Sequence, residues 1–201
     1  MPVFRSWFAL LLLAGLACES ATGPVERPEG QLNFVLQDSL APPLVATRDS
    51  FWAKVDDGRE LKLYYQGALP GDSGEEFLHF EVPGDGLYRR PDGSLFAPGD
   101  SILITVTVAD PARFVFQFEP AGLQFRSEHP AKLKVRYFLG EQDFDGDGDE
   151  DDVDGEIEQE LDLWHQATPG GTWRQVGAVR FSDLDEINAN IGSFSQYAVA
   201  W

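Results

Sequence analysis

Between Asp143 and Asp154 the chain carries carboxylates at a spacing that suits one kind of chemistry, the capture of a hard cation. The run reads Asp143-Phe-Asp145-Gly-Asp147-Gly148-Asp149-Glu-Asp151-Asp-Val-Asp154. With Asp143 as position one, acids stand at positions 1, 3, 5, 7, 9 and 12, and glycine stands at position 6. Oxygen ligands at alternate positions can turn around a single ion, and glycine permits the sharp bend this requires. Thirteen carboxylates fall between Glu141 and Asp162, and no Lys or Arg lies between Arg136 and Arg174. Without a cation these charges repel one another. The spacing predicts calcium as the cofactor, with Asp143, Asp145, Asp147, Asp149, Asp151 and Asp154 as ligands. Its affinity would be that of an extracellular module, on the order of 0.1–1 mM. Magnesium fits less well, because it takes few carboxylates and keeps its waters. The alternative is a solvated acidic loop that serves solubility.

The pattern resembles the Asp-rich calcium loops of dockerins and thrombospondin-type repeats. It departs from an EF-hand at position 8, which is Glu150 rather than an aliphatic residue, and at position 12, where Asp154 is shorter than the usual bidentate Glu. No helical pattern leads into it. The expectation is an acidic loop over 141–160, inserted between two strands.

Other chemistry finds little support. Acids outnumber bases 34 to 15, for a net charge of -19, which argues against nucleic acid as a partner, since phosphate binding needs clustered Lys and Arg. His79, His129 and His165 share no motif, and neither G-x-S-x-G nor H-E-x-x-H occurs. The single Cys excludes a disulfide framework and a Cys-based zinc site. Trp52, Trp164 and Trp173 are core candidates with a sugar-stacking platform as the alternative.

The N-terminus reads as an address. Arg5 precedes an apolar or small run from Trp7 to Ala17, the length of a signal-peptide core and too short to span a bilayer. Leu13-Ala-Gly-Leu-Ala17-Cys18 resembles the lipobox of bacterial lipoproteins, with Gly15 where Leu is usual. The resemblance implies removal of residues 1–17 and lipidation of Cys18, which would hold the chain on a lipid bilayer through several acyl chains. Glu19, in place of the Asp that retains such proteins at the inner membrane, favours the outer membrane of a bacterial cell envelope. Residues 18–31 lack apolar periodicity and hold two Pro and two Gly. They read as a flexible tether.

The remainder, 32–201, must build the frame that positions the acidic loop. Strict alternation marks strands. Phe114, Phe116 and Phe118 share one face; so do Leu133, Val135 and Tyr137, and likewise Leu61, Leu63 and Tyr65, and Leu78, Phe80 and Val82. Ile102 to Val108 is rich in β-branched residues. Further strands are expected over 51–55, 161–165, 173–179, 186–191 and 196–201. Turn signals such as Asp56-Asp57-Gly58, Pro70-Gly71-Asp72 and Pro98-Gly99-Asp100 separate them. About ten short strands predict an all-β fold, an antiparallel β-sandwich of immunoglobulin-like type. Ser182 to Ala189 is the one helix-like stretch, and its alternation favours strand from Glu186.

The order Glu119-Pro-Ala-Gly-Leu-Gln-Phe125, His129-Pro-Ala-Lys-Leu-Lys-Val135, Trp164, Trp173-Arg-Gln-Val176 and Phe194-Ser195-Gln-Tyr197-Ala-Val199 resembles the ZU-type β-sandwich of ankyrins and netrin receptors, over roughly residues 76–201. The resemblance implies an interaction or scaffolding module rather than an enzyme. Some animal members cut their own chain at a His-Phe-Ser site. The matching positions are Ser193, Phe194 and Ser195, which lack the His, so an intact chain is expected. The resulting expectation is a non-catalytic envelope lipoprotein with an unidentified protein or glycan partner. The alternative is a small envelope hydrolase or carbohydrate-binding module on the same sandwich.

Overall fold

The computed structural model describes residues 24–69 and 71–201. The leader 1–17, the lipid-attachment candidate Cys18 and Pro70 of the Pro70-Gly71-Asp72 turn lie outside the described residues. The strands are β1 (Glu26–Arg27), β2 (Arg48–Lys54), β3 (Arg59–Gln66), β4 (Ser73–Val82), β5 (Leu87–Arg89), β6 (Ser101–Asp110), β7 (Val115–Glu119), β8 (Gln124–Phe125) and β9 (Ala131–Arg136). After a short helix, α1 (Asp152–Glu158), come β10 (Asp162–Gln166), β11 (Trp173–Gln175), β12 (Val179–Phe181), β13 (Glu186–Ile191) and β14 (Gln196–Ala200).

These strands form an antiparallel sandwich. One sheet has seven strands in the order β1-β11-β10-β14-β7-β6-β2; the other has five, β12-β13-β9-β4-β3; β5 and β8 form a small ribbon. The alternating apolar positions face inward as the pattern requires. Leu61, Leu63 and Tyr65 of β3, Leu78 and Phe80 of β4, and Phe116 and Phe118 of β7 are all buried in one cluster. Aromatic rings tie the sheets together: Phe80 of β4 lies 5.1 Å from Phe118 of β7, and Phe77 lies 5.8 Å from Phe116. Tilted contacts of this kind add to the area the rings bury.

A second apolar cluster sits around Trp164 and Trp173. Leu32 and Phe34 pack on it, Phe34 meets Trp173 edge-on at 5.7 Å, and Arg27 lies over the Trp164 ring at 5.3 Å. The segment read as tether is therefore structured in its second part, where Glu26 and Arg27 pair with Arg174 and Trp173. The physical reason is the apolar cluster, which the entering chain covers. Ser182–Leu184 is a short 3-10 turn and Glu186–Ile191 a strand paired with β9. No helix among the described residues is long and apolar enough to cross a membrane.

Candidate functional site

The acidic loop joins β9 to β10, and backbone geometry shapes its first half. Gly146 and Gly148 adopt φ of +77° and +100°, conformations that side-chain-bearing residues rarely take. These bends turn backbone N–H groups toward the first carboxylates. Asp143 Oδ1 accepts from Gly146 N at 2.8 Å and Asp147 N at 3.1 Å, and its Oδ2 accepts from Gly148 N at 2.9 Å. Asp145 Oδ1 accepts from Asp147 N at 3.1 Å. As a result Asp143, Asp145 and Asp147 each offer an oxygen within 4.8 Å of the others, close enough to hold one metal ion. The Asp147 N–H lowers the Asp145 carboxyl, while desolvation and the charges of Asp147, Asp154 and Asp143 raise it; the net shift is upward. Three like charges so close make that cost inevitable.

The other three predicted ligands stand differently. Asp149 is exposed. Asp151 is the N-cap of α1 and accepts from Val153 N at 2.7 Å. Asp154 is buried. Its Oδ2 accepts from Asp151 N at 2.9 Å, completing a capping box, and its Oδ1 accepts from Phe144 N at 2.6 Å and Asp145 N at 3.2 Å. These bonds, led by the one from Asp151, hold the Asp154 carboxyl below its usual range. As expected, the acidic run lies between two strands and no helix leads into it, but α1 follows it directly, a helix that the carboxylate-rich sequence does not announce.

That helix is acidic at both ends. Aspartates suit its N-terminus, but Glu158 at the other end opposes the helix dipole and no base follows in the last turn. Long-range partners compensate. Glu158 Oε1 accepts from the buried Tyr137 hydroxyl at 2.6 Å and faces Arg180 at 3.0 Å. Burial, then the Glu158 bond and charge, push the Tyr137 phenol well up. The far end of the loop is held by Asp162, 7% exposed, which accepts from Leu163 N, Gly177 N and Ala178 N and from Gln175 Nε2. The loop is thus clamped at both ends. Beside the aspartate triad opens a cavity of about 510 Å³ bounded by Phe34, Phe144, Trp201 and Arg113, with Phe144 edge-on to Trp201 at 5.4 Å.

The remaining candidates separate. Trp164 and Trp173 are buried, whereas Trp52 is 62% exposed, so the three do not form a stacking platform. His79 bonds to Glu60 at 2.9 Å and His129 faces Asp85 at 3.2 Å. His165 gives the unexpected contact: its Nε2 is hydrogen-bonded to Ser195 Oγ at 2.6 Å, and its ring stacks on Tyr197 at 4.7 Å. Ser195 therefore has a histidine neighbour, supplied by β10 rather than by the Ser193-Phe194-Ser195 triplet. The register pairing His165 with Tyr197 produces it, and nothing local in the sequence signals it. Ser195 is 5% exposed, and burial followed by the Arg174 charge depresses His165. Comparisons with protein-family models, curated proteins and solved structures return no match.

Proposed function

We propose that this chain is a non-catalytic binding module of the bacterial cell envelope, lipid-anchored through Cys18, whose 143–154 loop takes up calcium. The observation that carries the metal reading is the convergence of Asp143, Asp145 and Asp147 within 4.8 Å. Calcium suits the site better than magnesium, since calcium takes six to eight oxygens and accepts many carboxylates, whereas magnesium takes few and keeps its waters. Asp149, Asp151 and backbone carbonyls stand near in the chain to complete such a shell. Neutralising the triad removes the charge repulsion that, after desolvation, raises Asp145, and the clamps at Asp154 and Asp162 pass the ordering to α1 and β10. The lipobox-like leader supports the anchor, and the ZU-type sequence resemblance supports a binding or scaffolding role over catalysis.

Two measurements test the reading. Calorimetric titration of the full chain with calcium is expected to show one site at about 0.1–1 mM, lost in the Asp145→Asn/Asp147→Asn variant and weaker for magnesium. Radiolabelled fatty acid is expected to enter the native chain and not Cys18→Ser. Heat independent of those aspartates would sink the metal site, and labelling that survives Cys18→Ser would sink the anchor.

A further inference from the structure

A groove of about 700 Å³ crosses the outer face of the five-stranded sheet and shares no lining residue with the acidic loop. Strand register builds its floor. His79, Lys134, Asn188 and Val179 stand in one row across β4, β9, β13 and β12. Glu81, Lys132 and Asn190 stand in the next. Val179 and Phe181, on edge strand β12, are 59% and 45% exposed and form an apolar wall.

The charges in this floor are already matched. Lys132 Nζ lies 3.4 Å from Glu81, and Glu60 is hydrogen-bonded to the His79 ring at 2.9 Å and lies 3.6 Å from Lys62. Lys134 Nζ lies 2.6 Å from Glu76 and 3.6 Å from Glu186. A ligand with net charge would meet a like charge beside each opposite one. A neutral ligand with many hydroxyls would not, because a hydroxyl both donates and accepts. The floor offers both functions: ammonium N–H groups donate, and Asn188 donates through Nδ2 to Glu186 at 2.8 Å, leaving its carbonyl oxygen to accept. Polar groups convergent beside a half-exposed aromatic suit a molecule with hydroxyls at its rim and C–H groups on its face. The volume lies in the usual range for ligand sites.

We propose that this groove binds a neutral oligosaccharide, with ring faces on Phe181 and Val179 and hydroxyls bonded to Lys132, Lys134, Asn188 and Asn190. The assignment deepens the binding-module reading by naming its ligand class, and it does not depend on calcium. The experiment uses the full chain in detergent, overlaid on an array of neutral and charged glycans, in chelator and in calcium, at low and high salt. Retention of at least one neutral series is expected, insensitive to salt and to chelator. It should fall at least tenfold in Phe181→Ala and in Asn190→Asp, both with unchanged melting midpoints, and stay unchanged in Trp52→Ala. Three results would overturn it: no neutral glycan retained, retention confined to charged glycans and abolished by salt, or loss in Trp52→Ala with none in Phe181→Ala. If Asp145→Asn/Asp147→Asn loses calcium yet keeps the glycan, the metal assignment and the groove assignment are shown to be separate, as expected.

Discussion

Asp154 closes the acidic loop onto Phe144: its Oδ1 accepts the Phe144 backbone N–H at 2.6 Å, ten residues back along the chain. The same carboxylate completes the capping box of α1 through Asp151. It therefore acts as the buckle of the loop, whereas Asp147 stands on the exposed side with its charge facing the other two aspartates.

That difference separates two variants in chelator. Asp154→Ala strands the N–H groups of Phe144 and Asp151 and lowers the melting midpoint. Asp147→Asn keeps an acceptor for Asp149 N and removes one repelling charge, so its midpoint holds or rises. Thermal melts followed by circular dichroism check this, and equal losses in both variants would contradict it.

Asp162 carries a heavier structural load. Four donors converge on its carboxylate, from β10, from β11 and from the turn after β11. Asp162→Ala leaves the buried Leu163 N–H and three half-buried donors without their acceptor and is expected to cost about 2 kcal/mol, a fall of about 4–8 °C in midpoint for a domain of this size. Asp162→Asn, which retains an acceptor oxygen, is expected to cost less. Chemical denaturation of the three chains measures the order.

The frame was legible in the sequence because its cues are local. Phe114-Val-Phe-Gln-Phe118 and Lys132-Leu-Lys-Val-Arg136 alternate cleanly; the second lies within β9, and the first becomes β7 from Val115, with Phe114 at positive φ just before it. The convergence of Asp143, Asp145 and Asp147 was legible for the same reason, as these aspartates alternate along one loop, whereas Asp149, Asp151 and Asp154 of the same pattern do not join them. Helix α1 was hidden because carboxylates occupy most of it and Gly155 lies inside it. The available signals were the Asp151-x-x-Asp154 box and the i,i+4 pair Val153 and Ile157. Long-range partners such as Glu158 with Tyr137, His165 with Ser195 and the groove rows depend on register between distant strands, which composition and spacing do not encode.

His165 gives the fold a pH dependence of definite sign. Its folded-state proton affinity is depressed, by burial first and then by Arg174, so the folded chain favours the neutral ring. The stability this gives is fully present above the unfolded value of about 6.5 and is lost as pH falls from there toward the depressed folded value. Comparing melts at pH 8 and pH 5, the native chain should lose more midpoint than His165→Gln. A native chain that loses less would reverse the sign.

The His165–Ser195 contact also makes chain integrity worth measuring. The bond sits in a buried position beside the paired strand β14, and neither Phe194 nor Ser195 has a positive φ, so the peptide lacks that form of backbone strain. A denaturing gel of the chain lacking residues 1–17 should show one band. Two fragments, with a new N-terminus at Ser195, would mean that the pair works as a nucleophile and base.

A calcium site wired into the fold must show in the melting of the full chain, first in chelator and then in 10 mM calcium, beside Asp145→Asn/Asp147→Asn. For a site near 0.1 mM, binding to the folded state adds about 2.7 kcal/mol, or about 5–10 °C in midpoint. That shift is expected in the native chain, with none in the variant and a weaker one in magnesium. An equal midpoint in chelator and calcium would contradict it and leave Asp143, Asp145 and Asp147 as a solvated acidic turn.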